Sequence, residues 1–314
     1  MSSSPLNPTP SAPSARSSRP ARIPRISHAS RSSSISRLSH LPRLAVLAGA
    51  ALALLVPLLL RGWPAQTQLI VACSLLMAAT CFASAVTVLG AGPALRLAVI
   101  AICAGWFAEQ MGASYGWFFG DYDYTDVLGP QLGQVPLVIP LMWFALSYTG
   151  YVMANLIVWQ TPVDAAAGTG RTLAMAFLAA LIVTAYDLGV DPYMDYKLGT
   201  WVMDKKDGWW FGETLQGFAG WMLVAFVIVS AFRLSSTRAM RAAAANAGAR
   251  PALRHVAVPL LLYGGLMVYE VTQGVPVETR AIALFVMGFP LFCAACGLAR
   301  WHGERMAVPL GKPA

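Results

Sequence analysis

Four carboxylic acids stand in apolar surroundings. Glu109 lies in Ala104-Gly-Trp-Phe-Ala-Glu-Gln-Met-Gly112, Glu270 in Leu266-Met-Val-Tyr-Glu-Val-Thr272, and Asp187 and Asp191 in Tyr186-Asp-Leu-Gly-Val-Asp-Pro192. A carboxyl in such a run must pair, take up water or keep its proton, and inside a membrane segment it marks a functional site by default. Protonated, it can give its proton to a weakly basic group; ionised, it can stabilise a cation. Asp187 and Asp191 are four residues apart and so face the same way on a helix. Pro192 is expected to break that helix and leave its last carbonyls free for water or a ligand. An interfacial carboxylate that caps, hydrates or pairs would explain any one of these acids; it explains less well four arriving at one level from three helices.

Two stretches add aromatic residues to these acids. Gly112-Ala-Ser-Tyr-Gly-Trp-Phe-Phe-Gly-Asp-Tyr-Asp-Tyr-Thr-Asp126 runs into Leu128-Gly-Pro-Gln-Leu-Gly-Gln-Val-Pro-Leu-Val-Ile-Pro140, and Asp204-Lys-Lys-Asp-Gly-Trp-Trp-Phe-Gly-Glu213 runs into Gly217-Phe-Ala-Gly-Trp221. Trp and Tyr gather at the headgroup level in any membrane protein, but an aromatic belt needs neither this glycine punctuation nor this density of Asp. Together the stretches read as an aromatic-lined mouth with acids at its rim, suited to a long apolar ligand whose end must meet water. Ser147, Tyr151 and Asn155 form a polar stripe, read as interhelical hydrogen bonding. Metal and thiol chemistry find less support. Cys293 and Cys296 have the spacing of a redox or metal pair, yet no second pair or nearby histidine accompanies them, so they read as small apolar residues of a helix. His28, His40, His255 and His302 lie in the tail or near helix ends, and no zinc or iron site can be assembled from them.

The elements that must position these residues follow from composition. Of 314 residues 57% are hydrophobic and only 11% charged, against about a quarter charged in a soluble domain. That excludes a soluble, disordered or disulfide-framework protein and leaves an all-α, polytopic transmembrane helical bundle, since the alternating segments of a barrel are missing. Eight apolar runs are long enough to be spans: Leu44 to Leu60, Gln66 to Leu89, Leu97 to Tyr115, Val135 to Trp159, Thr172 to Val190, Leu215 to Phe232, Val256 to Thr272 and Ala281 to Ala299. The first is short and holds Pro57, so it is either a helix, as taken here, or a cleaved signal or anchor.

The net charge of +8 belongs to one end of the chain. Residues 1–43 carry seven arginines and no acid, while the remainder has 15 basic and 14 acidic residues. A basic groove for nucleic acid is therefore absent from the body. The Ser/Pro/Arg-rich tail is expected to be disordered and to meet anionic lipid, although an organelle transit peptide has the same chemistry. The domains are thus a tail over 1–43, a transmembrane domain over 44–300 and a short tail over 301–314. By the positive-inside rule both termini are cytoplasmic, because that side then collects 17 of the 22 basic residues. Twelve of the 14 acids fall on the opposite side or in that half of the helices, so chemistry is concentrated at one membrane face.

The two aromatic stretches and the Glu109 segment resemble the integral-membrane carotenoid biosynthesis family, which includes carotenoid 1,2-hydratases acting on γ-carotene-type and bisanhydrobacterioruberin-type end groups. The resemblance is carried by Glu109, Gly112, Gly116, Phe119-Gly-Asp-Tyr-Asp-Tyr124, Leu128-Gly129, Val135-Pro136 and Ile139-Pro-Leu-Met-Trp143. A second block comprises Asp187, Asp191-Pro192, Met194, Gly199, Trp201, Gly208, Phe211-Gly212, Phe218 and Gly220-Trp221. Glu213 and Thr214 stand where the family usually has Ile-Pro, and Gly217 where it has Asn.

The resemblance implies hydration of a terminal alkene of an acyclic carotenoid to a tertiary alcohol, by protonation of the less substituted carbon and capture of the cation by water. No metal or organic cofactor is needed. Glu109 is then the first candidate for the acid, and Asp187 or Asp191 for the carboxylate that stabilises the cation and takes the proton of water. Trp117, Phe119, Tyr122, Tyr124, Trp143 and Trp221 are the expected walls, with Glu270 also in the substrate site; aromatic faces contribute about 0.5 to 2 kcal/mol each toward a cation. The implied partners are the carotenoid, membrane lipid and other enzymes of carotenoid biosynthesis, and the implied location is a bacterial inner membrane. A transporter or a non-catalytic pigment-binding protein are the rivals from other classes; the first lacks a visible polar route across the bundle.

Overall fold

The computed structural model describes residues 41–60, 66–165, 167–204, 206, 208–236 and 251–307. Of the tail expected over 1–43, residues 1–40 lie outside the described residues, as do 237–250 and 308–314. Among the described residues the chain forms eight α-helices: α1 (Leu41–Leu59), α2 (Gln66–Leu89), α3 (Ala91–Tyr115), α4 (Val138–Trp159), α5 (Thr169–Tyr193), α6 (Leu215–Ser235), α7 (Leu253–Gln273) and α8 (Glu278–Ala307). Each of the eight expected apolar runs contains a helix, and seven helices, α2 to α8, are long and apolar enough to cross a membrane. In α1 the qualifying apolar stretch is the shorter Ala48–Pro57. The helices mostly outrun the apolar runs because hydropathy marks only the part that lipid must cover, whereas the intrahelical hydrogen bonds continue until a cap or turn stops them.

The bundle is organised around α4, the most enclosed of the spans, which packs against α2, α3, α5, α7 and α8. Its neighbours present small residues to it and to each other: Ala176, Ala179 and Ala180 of α5 and Ala94, Ala98 and Ala101 of α3 are buried. In lipid, where apolar burial does not drive helices together, close approach through small side chains and dispersion takes over that role.

Pro192 does not break α5. The helix runs through it to Tyr193 and continues as one wide π turn over Met194–Leu198, ending at Gly199 with φ 59°. The missing Pro192 amide does free the carbonyl four residues earlier, that of Leu188. That carbonyl is taken by Trp210, whose indole Nε1 donates to it at 3.0 Å. A tertiary contact satisfies what the local sequence leaves open.

Two short antiparallel ribbons interrupt the helical plan. β1 (Tyr122–Tyr124) pairs with β4 (Trp201–Met203), matching Tyr122 with Met203, Asp123 with Val202 and Tyr124 with Trp201. β2 (Gln131–Leu132) pairs with β3 (Val135–Pro136), so the start of the fourth apolar run is a hairpin rather than helix. The first ribbon stitches together the two aromatic stretches, with Thr125 N donating to Thr200 O at 3.0 Å and Asp204 N to Asp121 O at 3.1 Å. Strand alternation then sends Tyr122, Tyr124, Trp201 and Met203 to the inner face and leaves Asp123 and Val202 exposed.

Candidate active site

Glu109 is placed by α3 and is buried. One turn earlier, Gly105 has no side chain where the Trp143 indole lies against the helix; a Cβ there would overlap the ring. The indole therefore reaches Glu109, and Nε1 donates to Oε1 at 2.8 Å. The other oxygen, Oε2, accepts from the Tyr122 hydroxyl at 2.6 Å and the Tyr124 hydroxyl at 2.8 Å, both delivered by β1. Burial first, and then the Glu109 carboxyl, push both phenols well above their ordinary range, so they remain donors. An indole can only donate. Three donors converging on two oxygens make Glu109 an acceptor held in one orientation.

The acids of α5 and α7 are held differently. Asp187 is fully buried, and among the described residues neither oxygen of its carboxyl has a hydrogen-bond partner; its neighbour Asp191 stands one turn along the same helix. Gly189 lies between the two, and its bare backbone seats the carboxyl of Glu270 from α7; a Cβ at that position would collide with it. Glu270 is buried, with no hydrogen-bond partner on either oxygen among the described residues. Three acids from two helices are thus gathered with no hydrogen-bond donor recorded for Asp187 or Glu270 among the described residues.

A fifth acid joins from outside the spans. Glu213, just before α6, is buried, and its Oε1 has no hydrogen-bond partner among the described residues. Burial and then repulsion from Asp195 push its carboxyl up to about 7, against the opposing pull of Lys206. Asp195 itself is paired with the Lys206 Nζ at 2.8 Å.

These groups surround one cavity of about 170 Å³. Glu109, Asp191, Glu213 and Glu270 are on its wall, with Phe119, Tyr122, Tyr124, Trp143, Trp201 and Trp221, and among the described residues no Lys, Arg or His is. The Trp143 and Trp221 ring centroids are 4.5 Å apart, and Phe119 stacks on Trp143 at 6.4 Å. The opposite wall is apolar and comes from α1, α2 and α7, including Leu54, Ile70, Val71, Met77 and Leu266. The volume is of the order of a cavity that takes a benzene-sized ring, about 150 Å³.

Of the expected residues, the fold brings Glu109, Asp191, Glu270, Phe119, Tyr122, Tyr124, Trp143 and Trp221 to this cavity. Asp187 is behind Asp191 and off the lining. Trp117 is not brought to it: it is 54% exposed and packs on Tyr115. The cause is the turn after α3, where Gly116 at φ 66° and Phe118 at φ 62° rotate the chain so that Phe119 points in and Trp117 out. Sequence reasoning missed Glu213, Trp201 and Met203 as wall residues. The alternation in Tyr122-Asp-Tyr124 is a strand signal that could have found the ribbon; nothing local marks Glu213. The stripe on α4 is used at the other end of the bundle, where Tyr151 and Asn155 contact Arg233. Of the residues that depart from the family pattern, Thr214 caps α6, its hydroxyl accepting from Gly217 N at 3.2 Å, and Gly217 also lines the cavity.

Comparison with known proteins bears on what this cavity holds. Bisanhydrobacterioruberin hydratase of Haloarcula japonica is 30% identical over 182 residues, 55% of this chain and 56% of that protein, so the chain spans little more than half the length of this curated relative. No solved structure matches the chain. The sequence profile of the family described as "Carotenoid biosynthesis protein" matches residues 68–290, which take in every carboxyl and aromatic group on the cavity wall. The chain is an integral membrane protein and belongs to the carotenoid biosynthesis protein family.

Proposed function

We propose that the protein hydrates a terminal carbon–carbon double bond of an acyclic carotenoid end group, giving a tertiary alcohol without a cofactor. The observation that carries this reading is the set of four carboxyls on the wall of an aromatic cavity sized for an end group. The relative named as a bisanhydrobacterioruberin hydratase supports it.

The hydrogen bonds divide the roles. Glu109, filled by three donors, is suited to remain a carboxylate and to stabilise the tertiary cation, helped by the faces of Trp143 and Trp221. Asp191 lies on the wall and has Asp187 as its neighbour; two carboxyls this close favour holding a proton between them. Asp191 is therefore the proton donor to the less substituted alkene carbon, and Asp187 acts through it as a positioning residue. This exchanges the acid assigned from sequence to Glu109 with the base assigned to the aspartates. Glu270 adds a further carboxyl to the wall from the α7 side.

In the same reading the carotenoid enters from lipid past the apolar wall of α1, α2 and α7, and its product passes to other enzymes of carotenoid biosynthesis. The cavity then opens at the face of a bacterial inner membrane opposite the cytoplasmic termini. The test is expression with an acyclic carotenoid followed by mass analysis of the pigments. A gain of one water is expected, and its loss in Asp191→Asn. Pigment that co-purifies unchanged with wild type would point to a binding protein and overturn the reading.

A further inference from the structure

Glu213 is, among the described residues, the only carboxyl on the cavity wall that does not belong to a spanning helix. Its backbone is tightly held. Gly208 and Gly212 exchange two hydrogen bonds of 3.1 Å, Glu213 N donates to Trp210 O at 2.9 Å, and Trp210 is anchored to the Leu188 carbonyl of α5. Between them Phe211 takes φ 52°, the left-handed region that a bulky side chain occupies only when its surroundings impose it. All this order serves to set one buried carboxyl, with an unpartnered oxygen, on the wall of the cavity.

Hydration needs a group of this kind. One carboxyl gives a proton to carbon, and a second must take one from the attacking water; the first must then be restored. Glu109 is occupied by its three donors. Glu270, also on the wall, is seated against the bare backbone of Gly189. Glu213 stands on the side nearest the ion pair of Asp195 and Lys206; the lysine side chain is 41% exposed, and its charge favours an ionised neighbour. It also interacts with Asp187 and Asp191.

We propose that Glu213 is the catalytic base, taking a proton from the water that attacks the carotenoid cation and returning it to Asp191. The inference rests on the hydration reading above. The alkene π pair forms a C–H bond with the proton of Asp191, and a water lone pair forms the C–O bond to the resulting tertiary cation. The breaking O–H bond leaves its electrons on oxygen and its proton on Glu213, which passes it to Asp191. One water is added, nothing is oxidised or reduced, and both carboxyls are reset.

The groups facing Glu213 are Asp195 and Lys206, Asp187 and Asp191 of α5, and Tyr196, whose hydroxyl lies against Gly212. Since burial holds this carboxyl at about 7, its basic form grows as pH rises toward and through that value. The test is the pH dependence of kcat/KM for hydration of an acyclic carotenoid by the full-length protein in membranes. Wild type is expected to rise with pH to a plateau with an inflection near 7. Glu213→Gln is expected to lose that rise and about 100-fold or more in rate, and Glu213→Asp to keep the rise at a lower rate.

If wild type adds water and Glu213→Gln retains its rate and profile, this inference alone is overturned. If wild type adds no water, the hydration reading falls and this inference with it. Should Glu213→Gln not insert, Glu213→Asp decides: a rate equal to wild type across the pH range overturns the assignment.

Discussion

The two ends of α4 and α6 carry two buried polar clusters built on opposite plans. At their C-terminal ends Arg233 is fully buried and ion-paired with Asp164; its Nη2 donates to Asn155 Oδ1 at 2.9 Å, and its guanidinium lies 4.5 Å from the Tyr151 ring centre. Asn155 in turn donates to the Pro162 carbonyl, and the Asp164 amide to the Tyr151 hydroxyl. At their N-terminal ends Trp143 and Trp221 stand over a cavity whose four wall carboxyls meet no cation among the described lining residues. The first cluster compensates its charge and serves to tie α4, α6 and the intervening loop. The second gathers acid groups in apolar surroundings with no cation on the wall, an arrangement that costs stability and that the proposed proton chemistry would use.

The comparison breaks most sharply at Asp191. Asp191→Asn is expected to reduce hydration by about 10³-fold or more while leaving the melting temperature in detergent unchanged or raised, because it removes an uncompensated acid. Arg233→Met should do the reverse, costing about 3 to 5 kcal/mol of stability by leaving Asp164 buried without its cation. Adding Asp164→Leu should recover most of that loss, as read by thermal unfolding. If instead Asp191→Asn destabilises and Arg233→Met abolishes hydration at full stability, the contrast between the two clusters is wrong.

Smaller effects sharpen it. Glu109→Gln keeps an acceptor for Trp143 but removes the charge, and turnover is expected to fall about 10² to 10³-fold with the substrate still bound. Tyr122→Phe deletes one of three donors and should lower turnover about tenfold, the scale of a single hydrogen bond of about 1 to 1.5 kcal/mol. The smallest effect is on stability. Glu213 has an ordinary carboxyl value near 4.5 and is raised to about 7 in the folded protein. Between those values the folded state keeps a proton that the unfolded chain has released, so stability should decline as pH rises through this window. Melting temperatures of wild type and Glu213→Gln across that range test this, the variant being expected to decline less.

Much of this was legible before any coordinates. The helical spans follow from runs of apolar residues, because lipid offers the backbone no partners and each run must satisfy its own amides. Glu109, Asp187, Asp191 and Glu270 stand out for the same reason: an acid in such a run is rare enough to need a purpose. The aromatic stretches were visible as well, but their inward and outward members were not. Trp117 and Phe119 are two residues apart and differ in fate because of backbone angles at Gly116 and Phe118. Pro192 looked like a helix terminator because its local effect is to remove an amide; Trp210, 18 residues downstream, fills the carbonyl it frees.

Sequence alone therefore determined the class of the molecule, its spans, and which acids lie inside apolar helices, since each of these depends on residues adjacent in the chain and on their free energy in lipid. The tertiary structure decided which of those acids face one another, that Glu109 meets three donors while Asp191 meets another acid, and that Glu213 belongs with them. Those outcomes depend on contacts between segments far apart in the chain, such as β1 on β4 and Glu270 on Gly189. No local pattern encodes the distance between two side chains on different helices, and that distance sets whether a carboxyl carries a proton or a charge.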